Sequence, residues 1–307
     1  MRPSHRLRCA VYPGPITTVL AEAITVAGGE LVDVAEAEIL VWTDPFDADG
    51  LAELLVTRPD IRWVQLPFAG VDRFAGLFGD DRTWTSTKGA YSEPVAEHAL
   101  ALGLAGLRQL PQRARATTWG SPGGIELRGS PVTVVGGGGI TEALLRLLSP
   151  FHVEATVVRR HVAPIEGAAR VVGREDLSGA LAGARLVVLA LALTPETAGI
   201  MGAAELRGMD DDAWLVNVAR GAHVVTADLV SALRDGIIGG AALDVTDPEP
   251  LPAGHPLWTL DNCIITPHTA NTWQMAQPLF AERVGSNVGR YLRKEPLLGR
   301  VDPELGY

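Results

Sequence analysis

The sequence has little that would tie it to a membrane, a nucleic acid or an oxidising compartment. Its two cysteines, Cys9 and Cys263, are too few and too far apart for a disulfide framework or a metal cluster. They read as reduced core thiols of a cytoplasmic protein, and no metal is expected. No apolar run is long. Residues 99–107 and 186–193 stop far short of the roughly 20 residues that a membrane-crossing helix needs, so no membrane partner is expected. The basic start MRPSHRLRC is followed by Pro13, Gly14 and Pro15 and by no apolar h-region, so no signal peptide is expected. No basic cluster offsets the formal net charge of −10, which argues against a nucleic-acid partner. There is no fixed-period repeat and no low-complexity segment.

What is present is ordinary for a globular protein: 47% hydrophobic and 20% charged residues. At about 150 residues per domain, 307 residues suggest two domains, each large enough for its own core.

The most informative stretch is residues 132–160, VTVVGGGGITEALLRLLSPFHVEATVVRR. Residues 132–135 are a short β-branched run and read as a buried strand. Gly136 to Gly139 form the turn, Ile140 to Leu148 have helical apolar spacing, and residues 156–158 read as a second strand. Strand, glycine turn, helix, strand is the unit that binds dinucleotides. Without a Cβ, Gly136 and Gly138 let the backbone turn sharply and lie against a pyrophosphate. The helix N-terminus then offers unpaired N–H groups and a positive dipole end. The third glycine position of the fingerprint is Thr141, whose bulk predicts a slightly displaced helix.

Strands and helices alternate elsewhere too. Residues 7–12, 39–42 and 63–66 read as strands, with helices at 16–27 and 51–56, and Gly28-Gly29 suits a helix C-cap. Gln65-Leu66-Pro67-Phe68-Ala69-Gly70 follows a strand end, where Ala69 and Gly70 can present amides to an anion. Ser92-Glu93-Pro94 opens a helix that is apolar on nearly every face and reads as buried. His98 within it reads as a hydrogen-bonded core residue. Residues 109–129 read as a connecting loop. After the glycine unit, helices are predicted at 176–184, behind a cap at Thr194-Pro195-Glu196-Thr197, and at 226–234 capped by Thr226. Strands are predicted at 185–191, 214–218, 240–245 and 264–266. A last helix spans about 279–292 and returns to the first domain.

Three polar residues follow apolar strands in the second half: Arg220, Glu249 and His268. Each lies past a predicted strand's carboxyl end, the side on which open α/β sheets bind ligands. Together they form a set suited to reducing a 2-oxo acid. An arginine holds a carboxylate in a fork and polarises a carbonyl. A histidine gives a proton to the developing alkoxide. A neighbouring carboxylate favours the charged ring and fixes its tautomer.

The order of motifs resembles the D-isomer-specific 2-hydroxyacid dehydrogenase family, its glyoxylate/hydroxypyruvate reductase-like members included. The matching stretches are Ser92-Glu93-Pro94-Val95-Ala96-Glu97-His98, the turn at Gly136 to Ile140, Leu193-Thr194-Pro195-Glu196-Thr197, Val216-Asn217-Val218-Ala219-Arg220-Gly221, Ala242-Leu243-Asp244-Val245 with Glu249-Pro250, and Thr266-Pro267-His268. The first sixty residues carry little of it.

The resemblance implies a doubly wound parallel-sheet (Rossmann) domain, 98–270, inserted in a smaller flavodoxin-like α/β substrate domain, 1–97 plus 271–307. It implies Arg220 as the substrate-orienting arginine, His268 as the proton donor and acceptor, and Glu249 as its acidic partner. It places Gly139 and Ile140 at the pyrophosphate, and Thr194, Val218, Ala219 and Asp244 along the cofactor. Ala69 and Gly70 add substrate contacts from the other domain. A homodimer is expected.

One departure bears on the cofactor. NAD-preferring members carry an acid about 20 residues after the glycines, to accept from the ribose 2′-OH. Here the chain reads Val158-Arg159-Arg160. Arginine cannot accept that bond but can bind a 2′-phosphate, so NADP(H) is favoured over NAD(H). Phosphite-type oxidation on the same scaffold, and an NAD(P)-sensing co-repressor-like binding protein, stand as alternatives.

Overall fold

The computed structural model describes residues 6–79 and 82–303; the first five residues of the basic start lie outside this range. The chain divides into two compact units. One comprises residues up to Tyr91 together with those from Thr272 onward, and the other is Ser92–Asn271.

The first unit opens with β1 (Leu7–Tyr12), α1 (Thr18–Val26), β2 (Gly29–Leu31), β3 (Ile39–Trp42), α2 (Ala48–Thr57), β4 (Trp63–Gln65) and β5 (Thr83–Thr85). The second contains α3 (Ser92–Leu107), α4 (Leu110–Arg115), β6 (Pro131–Val135), α5 (Gly139–Leu148), β7 (Glu154–Val158), β8 (Arg170–Val172), α6 (Leu177–Leu181), β9 (Leu186–Leu189), α7 (Ala203–Gly208), β10 (Trp214–Asn217), α8 (Thr226–Arg234), β11 (Gly240–Leu243) and β12 (Cys263–Ile265). The chain then returns to the first unit with α9 (Trp273–Leu292).

Both sheets are parallel. The larger runs β12-β11-β10-β9-β6-β7-β8, so the strand order reverses beside β6, the strand that ends in the glycine turn. This is the doubly wound arrangement, whose crevice lies at the switch point. The smaller runs β2-β1-β3-β4-β5, the flavodoxin-like order.

Central strands bury both faces, and successive residues feed different cores. In β9, Val187 and Leu189 join one cluster while Leu186 and Val188 join the other. In β3, Leu40 and Trp42 face one core while Ile39 and Val41 face the second, against α1 and α9.

The first unit also holds a buried polar knot. Trp63 Nε1 donates to Thr85 Oγ1, which donates to Gln65 Oε1. Asn287 Nδ2 donates to Gln65 Oε1 and to the Leu298 carbonyl, each at 3.0 Å, and Asn287 Oδ1 accepts from Leu298 N at 2.8 Å. Beyond it, Thr85 and Arg300 form an antiparallel bridge, with Ser86 N donating to Gly299 O and Val301 N to Trp84 O. Asn287→Leu strips the Leu298 N–H and carbonyl of their partner and removes one of the two donors to Gln65 Oε1. We expect it to lower unfolding free energy by about 2–4 kcal/mol, read from urea denaturation. A loss under about 1 kcal/mol would show that the knot relaxes freely.

Several local expectations change. Thr194 to Thr197 caps no helix: Thr197 Oγ1 accepts from Thr194 N and donates to Ala192 O, closing a turn, and α7 begins only at Ala203. Thr226 does not cap α8. Val225 holds that position, and the Thr226 hydroxyl donates to Asp247 O. The stretch 109–129 contains α4, whose proline in the first turn a helix tolerates. α3 is buried on one face only; Val95, Leu100 and Leu104 are half-buried and Ala101 is exposed. The two cysteines are unpaired, and burial pushes both thiols up to about 12. Among the described residues, no helix is long and apolar enough to cross a membrane.

Candidate active site

The site is built at the carboxyl ends of three neighbouring strands. In β10, β11 and β12 the terminal residues Asn217, Leu243 and Ile265 stand in register. Adjacent strands lie about 5 Å apart, so residues just past these ends share one rim of the sheet. Arg220 follows β10, Asp244 and Glu249 follow β11, and His268 follows β12.

Arg220 sits on a braced turn. Asn217 Nδ2 donates to Arg220 O at 2.9 Å, and Asn217 Oδ1 accepts from Ala219 N at 3.0 Å. Fully buried His223 accepts from Arg220 N through Nδ1, and its Nε2 lies 3.3 Å from Ala192 O. The arginine's Nη1 donates to Ala219 O at 2.8 Å. Gly221 has to be glycine, because a Cβ there would overlap the backbone of Thr246. The exits of β10 and β11 touch at that point.

His268 and Glu249 meet. His268 Nδ1 lies 2.7 Å from Glu249 Oε1, with both side chains about half exposed. The pairing fixes the ring and leaves Nε2 to present to a substrate. His268 has φ +52°, a left-handed conformation that a non-glycine residue adopts only where its surroundings impose it.

Asp244 holds that loop. It is 2% exposed, and its carboxylate accepts from Thr266 Oγ1, Thr269 N and Ala270 N. Burial alone would raise its pKa; hydrogen bonds from His98, Thr266 and the two amides outweigh this and hold it below the usual carboxylate value. Its carboxylate is thus committed to the loop. The hydroxyl of Thr194 is likewise committed, donating to Glu196 at 2.8 Å. Val218 N donates to Leu189 O at 3.4 Å, placing Val218 and Ala219 at the exit of β10.

The glycine turn fits a pyrophosphate. Gly136 has φ +123°, and a Cβ there would overlap the Ala190 carbonyl at the exit of β9. At Gly138 a Cβ would meet nothing within 4 Å, so the N-terminus of α5 opens onto free space. Gly138 caps α5 without a side-chain bond, and Gly139 and Ile140 begin the helix. Thr141 is fully buried and its hydroxyl donates to Gly136 O at 3.0 Å. Its bulk braces the turn. The stem of Arg159 lies over Gly137, close enough that a Cβ there would stand 2.8 Å from Arg159 Cδ and Nε. Arg159 and Arg160 leave the end of β7 at the same rim, and among the described residues no acid stands beside them in sequence.

In the other unit, Ala69 ends a bend after β4 and Gly70 follows it. Its Pro67 carbonyl accepts from Thr87 Oγ1 and from Tyr91 Oη at 2.7 Å. Burial pushes the Tyr91 phenol up to about 12, so it stays a donor.

The braces were not legible in the sequence. Asn217, His223 and Thr266 act through turns or partners in other strands. The signal that could have found two of them is local: Asn217 and His223 each stand three residues from Arg220.

Comparisons with known proteins point to one family. The family model "D-isomer specific 2-hydroxyacid dehydrogenase, NAD binding domain" matches residues 98–270. A glyoxylate reductase of Thermofilum pendens is 32% identical over 289 residues, 88% of this chain and 82% of that protein. A D-isomer specific 2-hydroxyacid dehydrogenase of Xanthobacter autotrophicus Py2, solved with NADPH and MES, superposes with a TM-score of 0.85 at 30% identity, covering 98% of this chain and 100% of that one. An NADPH-dependent glyoxylate/hydroxypyruvate reductase of Sinorhizobium meliloti, solved with NADP and sulfate, gives 0.83 at 25% identity, with 98% and 100% covered.

Proposed function

We propose that this chain, which belongs to the D-isomer specific 2-hydroxyacid dehydrogenase family and is an NAD(P)-dependent oxidoreductase, reduces a small 2-oxo acid of the glyoxylate or hydroxypyruvate kind with NADPH. The observation that carries the reading is the 2.7 Å pair of His268 and Glu249, two strands and one strand along the rim from Arg220. The nicotinamide cofactor, when bound, supplies a hydride to the carbonyl carbon. Arg220 grips the substrate carboxylate through its fork of donors. His268 delivers the proton from Nε2 to the carbonyl oxygen, and Glu249 holds the ring in place through Nδ1. We assign cofactor binding to the 92–271 unit, through the amides of Gly138, Gly139 and Ile140 at the start of α5 and the exits at Thr194, Val218, Ala219 and Asp244. Ala69 and Gly70 are assigned as amide donors to a substrate anion.

NADPH is favoured because Arg159, its stem laid on the glycine turn, and Arg160 occupy the place where a ribose-binding acid would stand. Replacing both (Arg159→Met to keep the stem, Arg160→Ala) removes one or two charge-assisted bonds of about 1.5–3 kcal/mol each. We expect kcat/KM for NADPH to fall about 10- to 100-fold, while that for NADH stays within a few-fold. The parent comparison tests the reading itself: glyoxylate and hydroxypyruvate with each cofactor. A clear preference for NADH overturns the cofactor assignment. Tight NADPH binding without turnover of any 2-oxo acid favours a binding protein.

The same reading includes a homodimer formed through the 92–271 unit. It is supported by the half-buried apolar side chains of α3 and by Trp119, which is 99% exposed.

A further inference from the structure

His98, on α3, is the side chain that reaches the loop of His268 from behind. Its Nε2 lies 3.1 Å from Thr266 Oγ1 and 3.3 Å from Asp244 Oδ1. The Thr266 hydroxyl gives its own proton to Asp244 at 2.6 Å, so its oxygen is open to a proton from Nε2. Asp244 in turn grips the loop at every residue that has a group to give. Thr266 binds through its hydroxyl, and Thr269 and Ala270 through their amides at 2.8 and 3.0 Å. His268 N donates to the Asp244 carbonyl at 2.8 Å. Pro267, between them, has no N–H. The left-handed backbone of His268 is imposed by this clamp, and the clamp centres on a buried negative charge. Such a charge holds its geometry only where it is fully hydrogen-bonded. His98 completes that shell from a helix that belongs to neither strand end.

We propose that His98 is a positioning residue for the reaction. By donating from Nε2 to Asp244 and Thr266 it fixes the carboxylate that shapes residues 266–270, and so sets the His268 ring against Glu249. The inference rests on the reading of His268 as the proton donor.

Two substitutions of equal polarity and different reach test it, with glyoxylate and NADPH as the probes. His98→Gln places an amide donor near the position of Nε2, whereas His98→Asn is too short. We expect His98→Asn to lower kcat about 10- to 100-fold, with KM for glyoxylate and the NADPH dissociation constant within threefold of the parent. Its solvent deuterium isotope effect on kcat rises, because proton delivery becomes limiting. His98→Gln keeps at least a third of the parent kcat. A packing role alone would shift stability without moving the isotope effect and would not be rescued by glutamine. Thr266→Val removes the shared hydroxyl without touching α3 and is expected to reproduce the kcat loss; unchanged turnover there overturns the inference, whether or not His98→Asn folds. So does His98→Asn within twofold of the parent, or His98→Gln as weak as His98→Asn. A His268→Ala control separates the two levels. If it is inactive while the His98 and Thr266 variants are normal, only this inference falls. If it is fully active, the reading of His268 falls and takes this inference with it.

Discussion

Turnover of a 2-oxo acid by His268→Ala is expected to fall by two to four orders of magnitude, while the NADPH dissociation constant stays within about twofold. That range is what a positioned general acid contributes. The separation between turnover and binding follows from where the residue stands. His268 lies past β12, at the edge of the seven-stranded sheet, whereas the glycine turn leaves β6, four strands away along the same sheet. The ring is half exposed, pairs with the Glu249 carboxylate and belongs to neither core cluster, so removing it opens no cavity in either core of the 92–271 unit. Thermal stability is therefore expected to change little. Turnover with a panel of 2-oxo acids and cofactor fluorescence titration provide the measurements. Equal loss of binding and turnover would sink the catalytic assignment.

The second large effect separates two glycines of one turn. Gly136→Ala places a methyl group on the Ala190 carbonyl and demands φ +123° of a residue with a Cβ. The conformational cost alone is about 1–2 kcal/mol, and the overlap is with backbone, which cannot rotate aside. The exits of β6 and β9 have to move apart. We expect a loss of roughly 3 kcal/mol or more in unfolding free energy, together with loss of measurable NADPH binding. Gly138→Ala is the contrast. Its φ is −100° and its Cβ meets nothing, so stability should hold within about 1 kcal/mol. Cofactor affinity should still fall at least tenfold, since the methyl group would stand over the helix start where a pyrophosphate approaches. Circular dichroism melts and cofactor titration of the two variants check this. Identical behaviour would mean that the open space at Gly138 is not a ligand cradle.

What the sequence could reveal of this molecule depended on how each feature is encoded. β3, β9 and β10 are buried on both faces, so they appear as unbroken apolar runs, and β6 with its glycines and α5 is a local unit of strand, turn and helix. The strands that escaped are β2, β5 and β8. Each has three residues, and each lies at an edge or outermost position, where little apolar pattern is required. α4 was hidden behind arginines and a proline that read as loop. At the site, Arg220, Glu249 and His268 stood out as polar residues placed directly after apolar strands. The bracing did not. His98 and Thr266 are 168 residues apart, and nothing near either one signals the other. His98 on an apolar helix looks the same whether it fills space or supports a proton donor; only the position of Asp244 distinguishes the two.

The bridge between Thr85 and Arg300 has a bearing on how the molecule behaves in a crowded solution. β5 is the last strand of the five-stranded sheet, and its outer N–H and C=O groups would otherwise form an open template for a stranger's backbone. Gly299 and Val301 occupy part of that template from within the same chain, and Asn287 pins the segment through Leu298. The polar knot beneath the sheet thus also keeps a sticky margin closed, and guards the protein against edge-to-edge self-association during the time it spends folded.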